Sequence, residues 1–127
     1  MDRLKNNLAH TMAIVRNTKV FDLGPSAAVT VTGNTASPPN MSDYIEGLLC
    51  INISACAGTS PTCDFNLQTQ HINGANWYDL PVTIAQQVST GQVLAAVTNF
   101  GENVRLKWTL GGVDPSFTFT SKFVAKS

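Results

Sequence analysis

Three cysteines and two histidines are the side chains best able to bind a metal ion or to act as nucleophiles. The cysteines are Cys50, Cys56 and Cys63, with five and six residues between them. Zinc sites normally pair ligands only two to four residues apart. With only His10 and His71 available to complete a site, this spacing predicts no metal centre.

A disulfide is also unexpected. Cys56 and Cys63 flank a turn-like Gly-Thr-Ser-Pro stretch. However, strand alternation places Cys63 on the face of Phe65 and Leu67, and Cys56 falls out of phase with its own strand. Directly opposed residues in a hairpin share a face, so these two thiols should not meet. We expect three reduced thiols, with Cys63 acting as a small core residue.

Catalytic motifs are missing from the sequence. It has no Gly-x-Ser-x-Gly elbow, P-loop, His-Glu-x-x-His helix or Gly-x-Gly-x-x-Gly loop. Asp43 and Glu46 could form a carboxylate pair, but they sit at a loop–strand junction, where solvated acids are common. The sequence therefore predicts a protein that is not an enzyme, with no catalytic residue and no cofactor.

Charge is scarce and unevenly distributed. The chain has 127 residues, which favours one domain, and 13% are charged, about half the usual share. Residues 1–19 carry four basic and one acidic residue (+3), residues 20–103 carry six acidic and no basic residues (−6), and residues 104–127 again carry +3. Either the two ends neutralise the acidic middle, or a basic end docks on an acidic partner. A dense basic stripe is absent, so no nucleic acid is expected as a partner.

Targeting signals are absent as well. No apolar core of a secretory signal follows the N-terminal charges, and no apolar run approaches the roughly 20 residues of a membrane span. We expect the protein to be made in the cytoplasm and to have no membrane as a partner.

Alternating apolar residues predict a β-protein from residue 19 onward. Two hairpins are predicted, one joining 48–55 to 63–69 through Gly-Thr-Ser-Pro and one joining 104–110 to 117–123 through Gly-Gly-Val-Asp-Pro. Residues 33–43 read as a surface loop, and residues 92–98 are apolar on both sides, as in a strand covered on both faces. Seven to nine short strands indicate a sandwich or barrel. The predicted core is Leu49, Ile51, Ile53, Phe65, Leu67, Leu106, Trp108, Phe117 and Phe119.

Residues 1–18 differ from the rest of the chain. Leu4, Leu8, Met12 and Val15 recur at helical spacing, yet a helix this short is marginal in water. The segment is therefore either a short helix or an extended arm. We expect it to bind a partner through these four apolar residues and through its basic residues, which are Arg3, Lys5 and Arg16.

Trp77 and Tyr78 are adjacent, so in a strand they point to opposite faces. We expect one of them to pack in the core and the other to be exposed beside the Asn-Gly loop. An exposed aromatic there could stack on a sugar ring. A strand aromatic covered by a loop or a neighbouring subunit is the plainer interpretation, and Trp77 joins the predicted partner-binding residues.

Residues 48–126 resemble a recurrent type of β-sandwich protein of tailed bacteriophages and related gene-transfer particles. The resemblance rests on the turn and core segments LLCINISACAGTSPTCDFNLQTQ, NGANWYDLP, Gly91 and FGENVRLKWTLGGVDPSFTFTSKFVAK. It implies an all-β fold, an antiparallel β-sandwich (jelly-roll-like or Ig-like). The residue pattern itself predicts residues 1–18 as an N-terminal arm or short helix and residues 19–127 as one domain.

The resemblance also implies a role. It points to a structural virion protein on the outer surface of the head, a decoration or cement protein that binds and stabilises the assembled capsid. Its partners would be the major capsid protein and neighbouring copies of itself, as a homo-oligomer with a trimer favoured. A neck- or tail-associated protein and a host-glycan-binding module are the alternatives.

Overall fold

The computed structural model describes residues 17–71 and 75–127, and all the regular secondary structure in these two ranges is β. Seven strands occur there: β1 Thr18–Asp22, β2 Ala28–Val29, β3 Gly33–Asn34, β4 Glu46–Gln70, β5 Tyr78–Asp79, β6 Gly91–Thr98 and β7 Asn103–Lys126. No helix occurs in the described ranges, so none there is long and apolar enough to span a membrane.

The two long strands β4 and β7 form an antiparallel ribbon that is the frame of the molecule. Their register runs from Glu46 opposite Lys126 to Gln70 opposite Asn103. The short strands β1, β2 and β3 pair with β7, and β5 and β6 pair with β4, so that all seven belong to one antiparallel sheet. We call the end of the ribbon with Glu46 and Lys126 its first end. There the backbone N–H of Ser127 donates to the carbonyl of Asn17.

The ribbon is irregular at its centre, between residues 53 and 62 of β4. Gly58 and Gly112 both adopt positive φ there. A Cβ atom on Gly58 would lie 2.7 Å from the carbonyl oxygen of Asp114, and one on Gly112 would lie 2.5 Å from that of Ser60. The two turn-like segments therefore lie side by side, with their backbones in close approach.

The two predicted hairpins are consequently wrong. Leu49 pairs with Phe123 rather than with the second half of β4, and Phe65 pairs with Trp108. The same residue types suit a pair of facing bulges and a pair of hairpin turns, because both arrangements need residues that accept positive φ.

The all-β prediction is confirmed, but the two-sheet sandwich is not what the described strands form. They make a single curled sheet, a half-barrel, in which the bent ribbon brings the inner faces of its two halves together. The predicted N-terminal arm or helix falls on residues 1–16, outside the described ranges. The division into an arm of residues 1–18 and a domain of residues 19–127 stays a prediction.

The core lies inside the curl, and all nine residues predicted for it are buried. Phe119, from the first half of the ribbon, contacts the edges of two aromatic rings from the second half. Its ring centroid lies 4.9 Å from that of Phe65 and 5.5 Å from that of Trp108. Strand alternation therefore predicted the inner face correctly, even though the pairing of the strands differs from the prediction.

Cys63 is buried in this core, as predicted. Burial raises the pKa of its thiol to about 12, and the nearby Asp64 and Cys56 act in the same direction. The thiol is thus protonated and poorly nucleophilic at neutral pH. All three cysteines are free thiols, with Cys50 and Cys56 half-buried.

The predicted surface loop at residues 33–43 is instead partly built into the fold. Thr35 and Met41 are buried, and the Thr35 hydroxyl donates to the carbonyl of Leu23 at 2.9 Å. The backbone N–H of Leu106 in turn donates to that hydroxyl. The segment covers the end of the core, which a polar and proline-rich sequence does not reveal.

Candidate partner-binding surfaces

Of the residues predicted to bind a partner, only Trp77 lies in the described ranges. The other seven are outside them: Arg3, Leu4, Lys5, Leu8, Met12, Val15 and Arg16. The described chain enters at Asn17 and continues into β1, which forms one edge of the sheet at the first end of the ribbon. Any segment that precedes Asn17 is therefore tethered at that edge.

Trp77 is half-buried just before β5, and its ring is covered by the guanidinium group of Arg105, 4.4 Å from the ring centroid. The prediction that Trp77 or Tyr78 packs in the core is wrong, because neither is buried. β5 is a two-residue edge strand that pairs only with residues 68–69 near the end of β4.

A polar network holds Arg105 against the indole. Gln68 and Arg105 are cross-strand neighbours, and the Arg105 Nε donates to Gln68 Oε1 at 2.8 Å. The Gln68 amide then donates to Asp79 Oδ1, also at 2.8 Å. Burial lowers the pKa of Arg105 from its ordinary value, and the guanidinium remains charged, as arginine does in proteins.

Tyr78 and His71 form the exposed aromatic pair of this region. Tyr78 is 50% exposed, and its ring lies 5.8 Å from that of His71 at an angle of 28°, a stacked arrangement. His71 is exposed, and Tyr78 is its stacking partner. The stacked pair lies where β5 meets the end of β4.

A second surface, not found from the sequence, lies on the outer side of the sheet at the first end of the ribbon. There the strand order is β1, β7, β4 and β6. We call it the apolar face, and its apolar members are Val20, Leu48, Leu94, Ala96 and Val124. Leu94 is 70% exposed and Val20 is 60% exposed. The register places Val20 opposite Val124, Val124 opposite Leu48, and Leu48 opposite Ala96.

A groove of about 340 Å³ crosses the same face beside Leu94. Cys50, Asn52, Thr120 and Lys122 contribute to its walls, together with Leu94 itself. Lys122 forms an ion pair of 3.0 Å with Asp22 of β1. The backbone N–H of Gly24, which donates to the Asp22 carboxylate, and then the hydrogen-bonded Lys122 lower the pKa of Asp22.

One sequence signal did point to this face. The segment 92–98 was read as a strand covered on both sides, because both of its faces are apolar. In the described chain β6 is covered only on its inner side, where Val97 is buried and Val93 and Ala95 are half-buried. The outer side of β6 is exposed, so the predicted covering of both faces is wrong for the described residues.

The described ranges contain no group of three or more histidine, cysteine or acidic residues placed to hold a metal ion. Asp64 accepts hydrogen bonds from the Gln86 amide at 3.1 and 3.2 Å, and Glu102 accepts one from the Asn40 amide at 3.3 Å. These carboxylates therefore act as local hydrogen-bond acceptors that fix the loops beside them.

The fold is similar to that of the SPBc2 prophage-derived protein YomS. The crystal structure of YomS superposes with a TM-score of 0.58 over 89% of this chain and 96% of that chain, at 15% sequence identity. No protein-family model and no curated protein sequence matches the chain. At this identity the likeness concerns the fold, and it extends over nearly the whole of both chains.

Proposed function

We propose that this protein is a structural component of a bacteriophage or prophage particle. The observation that carries the proposal is the fold shared with a prophage-derived protein along almost the full length of both chains. The resemblance of residues 48–126 to phage β-proteins, noted from the sequence, agrees with it. Fold alone does not define function, so the proposal also depends on the surfaces described above.

The specific role that we propose is decoration, or cementing, on the outer surface of the head. Residues 1–16 hold Leu4, Leu8, Met12 and Val15, and in the chain they precede the edge strand β1. Burying each apolar side chain contributes roughly 1.5–3 kcal/mol, while ordering each residue costs about 1–2 kcal/mol. Ordering sixteen residues costs more than burying four side chains returns, so the segment can gain affinity only when it is tethered to a domain that is already docked.

The proposed partners are the major capsid protein and neighbouring copies of this chain, with a homotrimer favoured. Arg3, Lys5 and Arg16 would place the segment on an acidic surface, and its binding would weaken as salt screens the charges. Neither nucleic acid nor a membrane is a proposed partner.

A glycan-binding module, at the neck, the tail or the head surface, is the second candidate. The observation in its favour is the exposed stack of Tyr78 on His71, next to Asp79 and the Trp77 cluster. Sugar rings pack on such aromatic faces, with nearby polar groups fixing their orientation. This candidate would make Tyr78, rather than the N-terminal segment, the main contact.

Both candidates can be tested with three forms of the protein: the full chain, the chain lacking residues 1–16, and the full chain with Tyr78→Ala. Each form is mixed with empty capsids of the phage that encodes it and, separately, with host cells, and co-sedimentation is measured. The head role predicts that the full chain and Tyr78→Ala bind capsids, and that the truncated chain binds at least about tenfold more weakly.

Circular dichroism of the truncated chain checks that the β-domain is still folded. If the full chain binds cells but not capsids, and Tyr78→Ala abolishes that binding, the glycan-binding candidate replaces the first. If the truncated chain decorates capsids as well as the full chain does, residues 1–16 are not the anchor.

A further inference from the structure

We infer that the apolar face is an interface between two copies of this chain, packed face to face about a two-fold axis. The inference goes beyond the proposed function, because it needs no capsid and because it assigns a contact surface and a two-fold arrangement, neither of which the proposed homotrimer specifies. Four features of the described residues support it: the pattern of β6, the shape of the face, its charge and its area.

The pattern of β6 is that of a strand with both sides covered, yet its outer side is bare in the single chain. Leu94 is 70% exposed, and Ala96 is also exposed. A half-barrel sheet that faces water normally alternates apolar and polar residues. The outer side at the other end of the ribbon follows that rule, since the polar residues Asn66 and Thr109 are exposed there. The departure is therefore local to the apolar face.

The shape of the face is self-complementary. Leu94 projects from it, and the groove of about 340 Å³ runs directly beside Leu94 over Cys50 and Asn52. In a two-fold interface the same patch is used by both copies, so a projection must find a recess on the same patch. Leu94 of each copy can enter the groove of the other, as side chains of packed sheets interdigitate.

The charge of the face favours a second copy over a strongly charged partner. Lys122 lies at the groove, and its charge is neutralised within the same chain by Asp22 at 3.0 Å. At the groove, two such faces brought together therefore do not place an unpaired lysine of one copy against that of the other. Like-charge contact is a main obstacle to self-association, and this ion pair removes it.

The area of the face suits a reversible dimer. Residues Glu46–Ile53 of β4 pair with β6 and β7 on its two sides over eight residues, and β1 adds a fourth strand over five residues of β7. With strands about 4.8 Å apart and about 3.3 Å per residue, each copy offers roughly 500 Å². Two copies then bury on the order of 1,000 Å², the lower limit for a specific interface. Self-association should accordingly depend on protein concentration.

The test compares the full chain with Leu94→Asp by analytical ultracentrifugation. We expect the wild-type chain to self-associate and Leu94→Asp to weaken that association by at least about tenfold, because the variant would bury an unpaired carboxylate. Val31→Asp is the matched control, since Val31 is 71% exposed but lies off the face; its association should equal that of the wild type. Deleting residues 1–16 should also leave association unchanged, which separates this inference from the capsid proposal.

A second measurement needs no variant. Cys50 lies in the groove, whereas Cys56 lies outside it, so brief maleimide labelling followed by peptide mass spectrometry reports on the two thiols separately. Labelling of Cys50, but not of Cys56, should slow as protein concentration rises. A wild-type chain that stays monomeric at its highest soluble concentration would overturn the inference. So would an association that Leu94→Asp leaves unchanged, because the interface would then lie elsewhere.

Discussion

Replacing Phe119 with alanine should destabilise the protein severely, because this ring joins the two halves of the bent ribbon. Phe119 is fully buried and packs edge-on against Phe65 and Trp108. Truncating a buried phenylalanine costs about 3–5 kcal/mol, out of the roughly 5–15 kcal/mol that stabilises a typical domain. Each aromatic contact supplies about 0.5–1.5 kcal/mol of that loss.

Urea unfolding followed by tryptophan fluorescence would measure the loss as a shift in the transition midpoint. Val113→Ala is the control, because Val113 lies in the same strand but is 62% exposed, and its effect should stay within about 0.5 kcal/mol. If Phe119→Ala does not yield folded protein, Phe119→Leu keeps most of the apolar volume and should cost roughly 1–3 kcal/mol through the two lost ring contacts. A cost below about 1 kcal/mol for Phe119→Ala would refute the assignment of the inner face.

Three further results are expected. Gly58→Ala should destabilise the protein by roughly 1–3 kcal/mol, because Gly58 has a φ of 115° and lies against the facing backbone. Gly91→Ala is the control: a Cβ atom at Gly91 would meet nothing within 4 Å, so this variant should be neutral or slightly stabilising in the same urea assay. Cys63 should resist a thiol reagent at pH 8 in the native protein and react once it is unfolded, giving three thiols in all. Asp22→Asn should cost less than about 1 kcal/mol at pH 7, since its ion pair with Lys122 is half-exposed.

Each of these three predictions has an outcome that would contradict it. Equal stability of the two glycine variants would mean that the two central bends do not touch. If all three thiols of the native protein react at once with the reagent, Cys63 lies outside the core. The pKa of Asp22 is lowered in the folded protein. The contribution of Asp22 to stability is therefore present above the unfolded pKa near 3.8 and is lost as pH falls below it. A stability difference between wild type and Asp22→Asn that grows on acidification would contradict the assignment.

Much of the candidate site lay beyond sequence reasoning. Trp77 was singled out from the sequence, but Arg105, which covers its ring, lies 28 residues away in the chain, and only the pairing of β4, β5 and β7 brings the two together. Nothing local indicates that a two-residue edge strand will leave both Trp77 and Tyr78 outside the core. The apolar face was visible only as an unexplained apolar strand at residues 92–98.

The sequence by itself determined the β class and the inner side of each long strand. Alternation is a local property, because successive side chains of a strand point to opposite faces whatever the strand pairs with. For that reason Leu49, Phe65 and Phe119 could be assigned to the core although their pairing partners were predicted wrongly.

Only the tertiary structure decided which strands pair. Gly-Thr-Ser-Pro and Gly-Gly-Val-Asp-Pro carry residues suited to positive φ, and a hairpin turn and a bulge use them equally well. The choice depends on the total backbone pairing and core contact that each arrangement gains. The long ribbon pairs β4 with β7 from Glu46 to Gln70 and sets Phe119 against Phe65 across the bend. Such a gain is summed over contacts distant in sequence, so no local pattern encodes it.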